Sequence, residues 1–234
     1  MQTRQSPPTH WLAPHVRACD LDGQVVLLDL RAGRYAAVRQ ARSLPVLVAG
    51  WPRCTPAAET SPELAASTIR ALQAKGMLVD HAVASPQPST PAPERSLDIH
   101  ASEDARTSLG DVARMLAATA TAALQLRHRS LLDIADGIVR RRDATDLRAQ
   151  PPRAVDQAAA TYRRLRPLAI GSRDRCLLES LALLRFLGYQ GLSATWVIGV
   201  KSRPFAAHSW LQDGSQVLTD HAERVRQYRP LLIV

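Results

Sequence analysis

Aromatic residues are scarce in this chain of 234 residues: two Phe, four Tyr and four Trp make up 4% of it, against 46% apolar residues in all. A core of stacked rings is excluded, and an aliphatic, helix-friendly core of Ala, Leu and Val is expected. Lysine is nearly absent, at Lys75 and Lys201 alone, so the net charge of +9 rests on arginine. The three cysteines, Cys19, Cys54 and Cys176, are far apart and form no CxxC pair. That spacing argues against a disulfide framework or a cysteine zinc site, and no metal is expected. No stretch approaches the ~20 apolar residues of a membrane-spanning helix. Met1 to Pro8 hold no apolar signal core either. These absences predict a cytoplasmic protein without stable membrane insertion.

What is present in excess, arginine, invites a nucleic-acid reading, because phosphate binding draws on clustered cations. The distribution argues against it. Residues 1–83 carry +3, residues 84–100 carry −1 and residues 101–234 carry +7, and only Arg140 to Arg142 form a run. A solvated, arginine-biased surface is the expectation, with no nucleic-acid partner.

Proline divides the chain. Ala84 to Glu94 holds four prolines among Ser, Thr and Gln, a composition that resists both helix and sheet pairing. The predicted layout is therefore a domain over 1–83, a Pro-rich linker over 84–100 and a domain over 101–234. In the first domain, His15 to Cys19, Gln24 to Leu30 and Arg34 to Val38 read as strands joined at Asp22-Gly23 and Ala32-Gly33. A helix over Arg42 to Ala49 is expected next. A second follows, opened by Ser61 and Pro62 and stopped at Gly76. This is a winged-helix-like α+β pattern, a three-stranded sheet plus helices. In the second domain, apolar residues recur at helical spacing from Ser102 to Arg127, at Leu109, Val112, Leu116, Ala120 and Leu124. Shorter helices are expected at Leu131 to Arg142, Val155 to Arg166 and Arg175 to Leu187. Strands are expected at Ser193 to Val200, His208 to Leu211 and Gln216 to Asp220.

Cys176 begins one of those helices. Unpaired N–H groups and the partial positive charge of a helix N-terminus favour a thiolate, and Arg173 and Arg175 push the same way. His208 and Asp220 lie on the two arms of the hairpin predicted around Asp213-Gly214. A two-residue loop there would pair His208 with Thr219 and aim Asp220 at the opposite face. A loop of Gln212-Asp213-Gly214, with Gly214 left-handed, sets His208 opposite Leu218 and Asp220 diagonally on its own face. A thiol, an imidazole and an orienting carboxylate are the parts of covalent acyl chemistry.

Three segments carry a resemblance. The run Arg175 to Leu183, the run Trp196 to Leu211 with its Gly-Val-x-x-x-Pro-Phe-x-Ala-His-x-Trp order, and Val217 to Asp220 together resemble the transglutaminase-like cysteine peptidases of lasso-peptide maturation, the B proteins. The resemblance covers roughly residues 100–234. It implies a transglutaminase-like or papain-like fold in which Cys176 is the nucleophile, His208 the general base and acid, and Asp220 the orienting carboxylate. The first domain is similar to the small precursor-recognition domain of the pyrroloquinoline-quinone D type. That likeness implies a leader peptide added as a strand beside Tyr35, Ala36, Ala37 and Val38, near the helix side of Leu64, Thr68 and Leu72. The implied partners are the precursor peptide, leader and core, and an asparagine-synthetase-like cyclase. No cofactor of the protein's own is expected, and any ATP dependence enters through that cyclase.

Other residues carry plainer expectations. Cys19 and Cys54 read as packing or surface residues, His221 as structural on the face away from His208, and Asp213 as a turn residue. Trp196 and Trp210 either cover the thiolate or fill the core. Three other readings stand beside this one: a leader-binding scaffold for the cyclase, which the resemblance equally allows, an acyltransferase using the same triad, and a winged-helix DNA regulator.

Overall fold

Two Gly-containing turns shape the first sheet. At Asp22-Gly23 both residues take positive φ, 54° and 83°, as a two-residue hairpin loop demands. This loop joins β2 (Val16–Leu21) to β3 (Gln24–Asp29). At the next turn Asp29 Oδ1 accepts from the backbone N–H groups of Arg31 and Ala32, and β4 (Arg34–Val38) returns antiparallel to β3. The three strands form a meander in the order β2-β3-β4, and the hairpin expectations hold. The computed structural model describes residues 10–38, 48–52, 62–83, 89–98, 107–144, 153–168 and 175–234, in two compact units, Met1–Gln87 and Pro88–Val234.

The first unit departs from its expectation after β4. Val48–Ala49, expected at the end of a helix, form strand β5 and pair in parallel with β1 (His10–Leu12). β6 (Leu78–Val79) takes the other side of β1, which makes a second sheet in the order β5-β1-β6. The β-branched Val48 is 1% exposed, and core burial outweighs the helical propensity of its neighbours. The rest of that expected helix, the Ser61 cap and Cys54 lie outside the described residues. Helix α1 (Pro62–Ala74) ends as read: Gly76 has φ 65°, and Met77 N–H bonds Leu72 O while Gly76 N–H bonds Gln73 O. Ala65, Ile69 and Leu72 of α1 pack with Leu12, Val25, Leu27 and Trp51 in one core.

The second unit corrects the linker. Residues 89–98, expected as free spacer, lie against this unit, and their strand β7 (Arg95–Ser96) joins its sheet. The prolines explain why composition misled. Proline removes N–H donors but leaves every carbonyl, and side-chain donors take them. Gln212 Nε2 donates to Pro91 O and Thr90 Oγ1 at 2.9 and 2.7 Å. Arg226 donates to Pro93 O and Glu94 O, each at 2.7 Å. Leu97, 6% exposed, anchors the end.

Helices follow, α2 (Leu109–His128), α3 (Leu131–Ala144) and α4 (Ala154–Leu165), then a 3-10 turn at Arg166–Leu168 and α5 (Cys176–Gly188). Reciprocal side-chain and backbone bonds between Ser108 and Asp111 cap α2, and Ser130 and Asp133 do the same for α3. The strands are β8 (Thr195–Ser202), β9 (Phe205–Asp213), β10 (Gln216–Val217) and, after α6 (Ala222–Val225), β11 (Arg229–Ile233). Their sheet runs β11-β8-β9-β10-β7, and α5 packs between α2 and β9. The fold is thus α+β in both units. Among the described residues no helix is long and apolar enough to cross a membrane.

Candidate active site

Strand alternation sorts β9 into two faces. Ser209 meets Ser180 of α5, so α5 lies on its side. His208 and Trp210 point to the other, where the imidazole stacks on the Trp210 indole at 6.1 Å and tilts against the Tyr228 ring at 5.2 Å. Trp210 needs room there. A Cβ on Gly199, the cross-strand partner of His208, would come within 2.8 Å of its ring. β10 covers β9 only at Gln212 and Asp213, which leaves the strand edge beside His208 uncovered by a strand among the described residues. At that edge the first turn of α5 brings Cys176 to the imidazole.

His208 Nε2 and Asp220 Oδ2 are 2.8 Å apart, and the Cys176 thiol hydrogen-bonds the imidazole. With Nε2 committed to the carboxylate, Nδ1 is the ring nitrogen left for sulfur. Asp220 is fixed in turn: its Oδ1 accepts from His221 N–H at 2.8 Å, and Arg224 Nε lies 3.5 Å from Oδ2. Burial pushes the Cys176 thiol up, but the His208 hydrogen bond, the N–H groups of Ser209 and Leu177 and the imidazolium charge outweigh it and hold the thiol below its ordinary value. Burial opposes charge on His208 too. The Asp220 hydrogen bond and the sulfur overcome it, and the imidazole is pushed up to about 9. Asp220 is held below the usual carboxylate range: His208, the His221 N–H and Arg224 outweigh its burial. Both shifts favour a thiolate beside an imidazolium.

Cys176, His208 and Asp220 therefore meet as expected, by a different route. The hairpin loop is Gly214-Ser215, with Gln216 opposite Asp213 and Val217 opposite Gln212, so neither loop considered from sequence forms. Continued as a ladder, that register would set His208 opposite His221. Instead pairing stops after Leu218, Thr219 Oγ1 accepts from Leu211 N–H, and the chain bends so that Asp220 reaches back. Gly214 is left-handed, φ 54°. Asp213 is exposed at the far end of β9. Trp196 and Trp210, 0% and 1% exposed, belong to the core, and neither is among the described residues that line the cleft. His221 is exposed and lines the cleft. Arg175, at the cap of α5, is exposed, and the bonds to sulfur come from elsewhere; Arg173 lies outside the described residues.

The cleft holds residues that the sequence reading missed. Arg163, Arg166, Glu179, Ser209, Thr219 and Arg224 line it with the triad. Glu179, three residues after Cys176 on α5, pairs with Arg166 at 2.8 Å. Its helical spacing from Cys176, and that of Arg224 from Asp220, were the available signals. Among the described residues no group of three or more His, Cys, Asp or Glu could hold a metal.

The residues expected to bind a leader lie on β4 and α1. β4 is the outer strand of its sheet, with Tyr35 and Ala37 exposed and Ala36 and Val38 half-buried against the core. Leu64 is exposed, and Thr68 bonds back to Leu64 O. Leu72 is a correction. At 5% exposure it belongs to the core, because it sits on the inner face with Ala65 and Ile69.

A family model described as the transglutaminase-like superfamily matches residues 115–233. The microcin J25-processing protein McjB of Escherichia coli is 47% identical over 48 residues, which is 20% of this chain and 23% of that protein. The chain thus covers less than a quarter of that relative's length. No solved structure matches.

Proposed function

The chain belongs to the transglutaminase-like superfamily, and from that premise we propose that it is the leader peptidase of a lasso-peptide pathway, a cysteine hydrolase that frees the core of a ribosomally made precursor. The observation that carries this reading is the thiol–imidazole–carboxylate chain Cys176–His208–Asp220 in an open cleft. The Cys176 thiolate attacks the carbonyl joining leader to core, and the tetrahedral oxyanion meets the Cys176 N–H at the start of α5. As the C–N bond breaks, His208 gives its proton to the departing amine and a thioester remains on Cys176. Water then attacks, His208 takes its proton, the C–S bond breaks, and the leader leaves as a carboxylate. The core departs with a free α-amine for an asparagine-synthetase-like cyclase to join to a side chain.

The first unit is assigned to the leader, as an added strand along the β4 edge at Tyr35 to Val38 with Leu64 and Thr68 beside it. Holding the leader on the same chain raises the concentration of the scissile bond at the thiol, so weak binding suffices. The name of the McjB relative, a processing protein for microcin J25, supports the choice of pathway. Mixed with precursor, Cys176→Ala is expected to bind without cleaving; continued cleavage would remove Cys176 from the chemistry. Cleavage by the protein alone separates a peptidase from a scaffold that acts only with the cyclase.

A further inference from the structure

Below the thiol lies a buried polar chain that the reaction does not use. Trp196 Nε1 donates to Ser209 Oγ at 2.8 Å and lies 3.2 Å from Ser180 Oγ. The two serine hydroxyls are 2.7 Å apart, and Ser180 Oγ bonds Leu177 O at 3.1 Å. Ser180 and Trp196 are wholly buried and Ser209 is 3% exposed. A hydroxyl has one proton to give, which fixes the direction of the chain. Ser180 gives its proton to Leu177 O, Ser209 gives its own to Ser180, and Trp196 donates to Ser209. The chain therefore runs from β8 through β9 to the first turn of α5.

Its two ends matter. The backbone N–H groups that reach the Cys176 sulfur belong to Ser209 and Leu177, and these are the residues the hydroxyls tie together. Ser180 also stands one helical turn from Cys176, and Ser209 adjoins His208. We propose that Ser180, Ser209 and Trp196 are positioning residues that lock α5 to β9 so that two backbone donors and the imidazole converge on the Cys176 sulfur. Burial makes the lock stiff, because no water replaces a lost partner and each missing bond shifts the elements instead. The inference deepens the proposed function and rests on it only in taking Cys176 as the reactive thiol.

The test reads ionisation rather than cleavage, so that failure of one idea is distinguishable from failure of the other. Iodoacetamide alkylation of the full chain, followed against pH and resolved at Cys176 by mass spectrometry, gives the thiolate midpoint. In Ser209→Ala and Ser180→Ala the midpoint is expected to rise by about half to one pH unit, roughly three- to tenfold less thiolate below it. Trp196→Phe, which removes only the N–H and some bulk, gives a smaller rise and serves if a serine variant does not fold. Ile134→Ala, a core truncation on α3, lowers stability and leaves the midpoint in place. Folded serine variants with an unchanged midpoint would overturn the inference, as would an equal rise in Ile134→Ala.

Discussion

Asp220 uses both of its oxygens. One holds His208 Nε2 and the other accepts the His221 N–H, each at 2.8 Å. Asp220→Asn keeps the shape but removes the charge that favours the imidazolium, so turnover should fall on the order of 10²–10⁴-fold in steady-state cleavage. The pH profile follows from the same groups. The reactive pair needs Cys176 ionised and His208 protonated, which gives an acid limb below an ordinary thiol value and an alkaline limb near 9. In Asp220→Asn the alkaline limb should move to lower pH; a limb that stays near 9 would contradict the role given to the carboxylate. Stability has matching signs. The raised His208 contributes fully below its unfolded value and loses that contribution as pH rises through about 9, whereas the depressed Asp220 loses its contribution as pH falls into the acid range. Cys176, His208 and Asp220 were legible because each has a chemistry its neighbours lack. Ser180 and Ser209 were not, since a serine in a helix or strand announces a hydroxyl but not its partner.

The fold brings these groups together through elements with few degrees of freedom to spare. Gly199 has no Cβ because Trp210, on which His208 stacks, occupies the space. Gly199→Ala should cost about 1–3 kcal/mol by overpacking, seen as a lower thermal midpoint together with slower cleavage as Trp210 tilts the imidazole. The proline segment makes a second claim. Leu97→Ala should destabilise the second unit by about 2–5 kcal/mol and raise hydrogen exchange at Glu94, Arg95 and position 97, whose N–H groups bond Ser215 O and Val217 O where β7 meets β10. A free spacer would show neither. Helices α2 to α5 and strands β8 to β10 were readable from periodicity and from Gly punctuation, whereas β7, α6 and β11 were not expected. The hairpin register was not, because Asp213-Gly214 and Gly214-Ser215 are both acceptable turns and the choice is made by Gln212, whose buried amide binds Thr90, Pro91 and Gly214. Proline content, likewise, records what a segment cannot donate and says nothing of what its carbonyls accept.

At the scale of the molecule, one unit has β4 as an outer strand among the described residues, and the other holds the Cys176 thiol below its ordinary value. The arginine excess contributes little to the proposed division of labour beyond Arg163, Arg166 and Arg224 in the cleft, the last two paired with carboxylates. Leader binding should therefore persist at moderate salt, unlike a phosphate contact, and a charge-insensitive leader affinity measured by titration would agree with it. Strand-breaking Ala37→Pro on the β4 edge should weaken leader binding while leaving Cys176 alkylation unchanged, which keeps the two functions separable. The most direct test of the whole account is to incubate the protein with its precursor in isotopically heavy water and weigh the products. Hydrolysis through Cys176 predicts a leader whose new carboxylate carries heavy oxygen and a core with a free amine, both lost in Cys176→Ala. An intact precursor, or a leader joined to an amine without heavy oxygen, would contradict it.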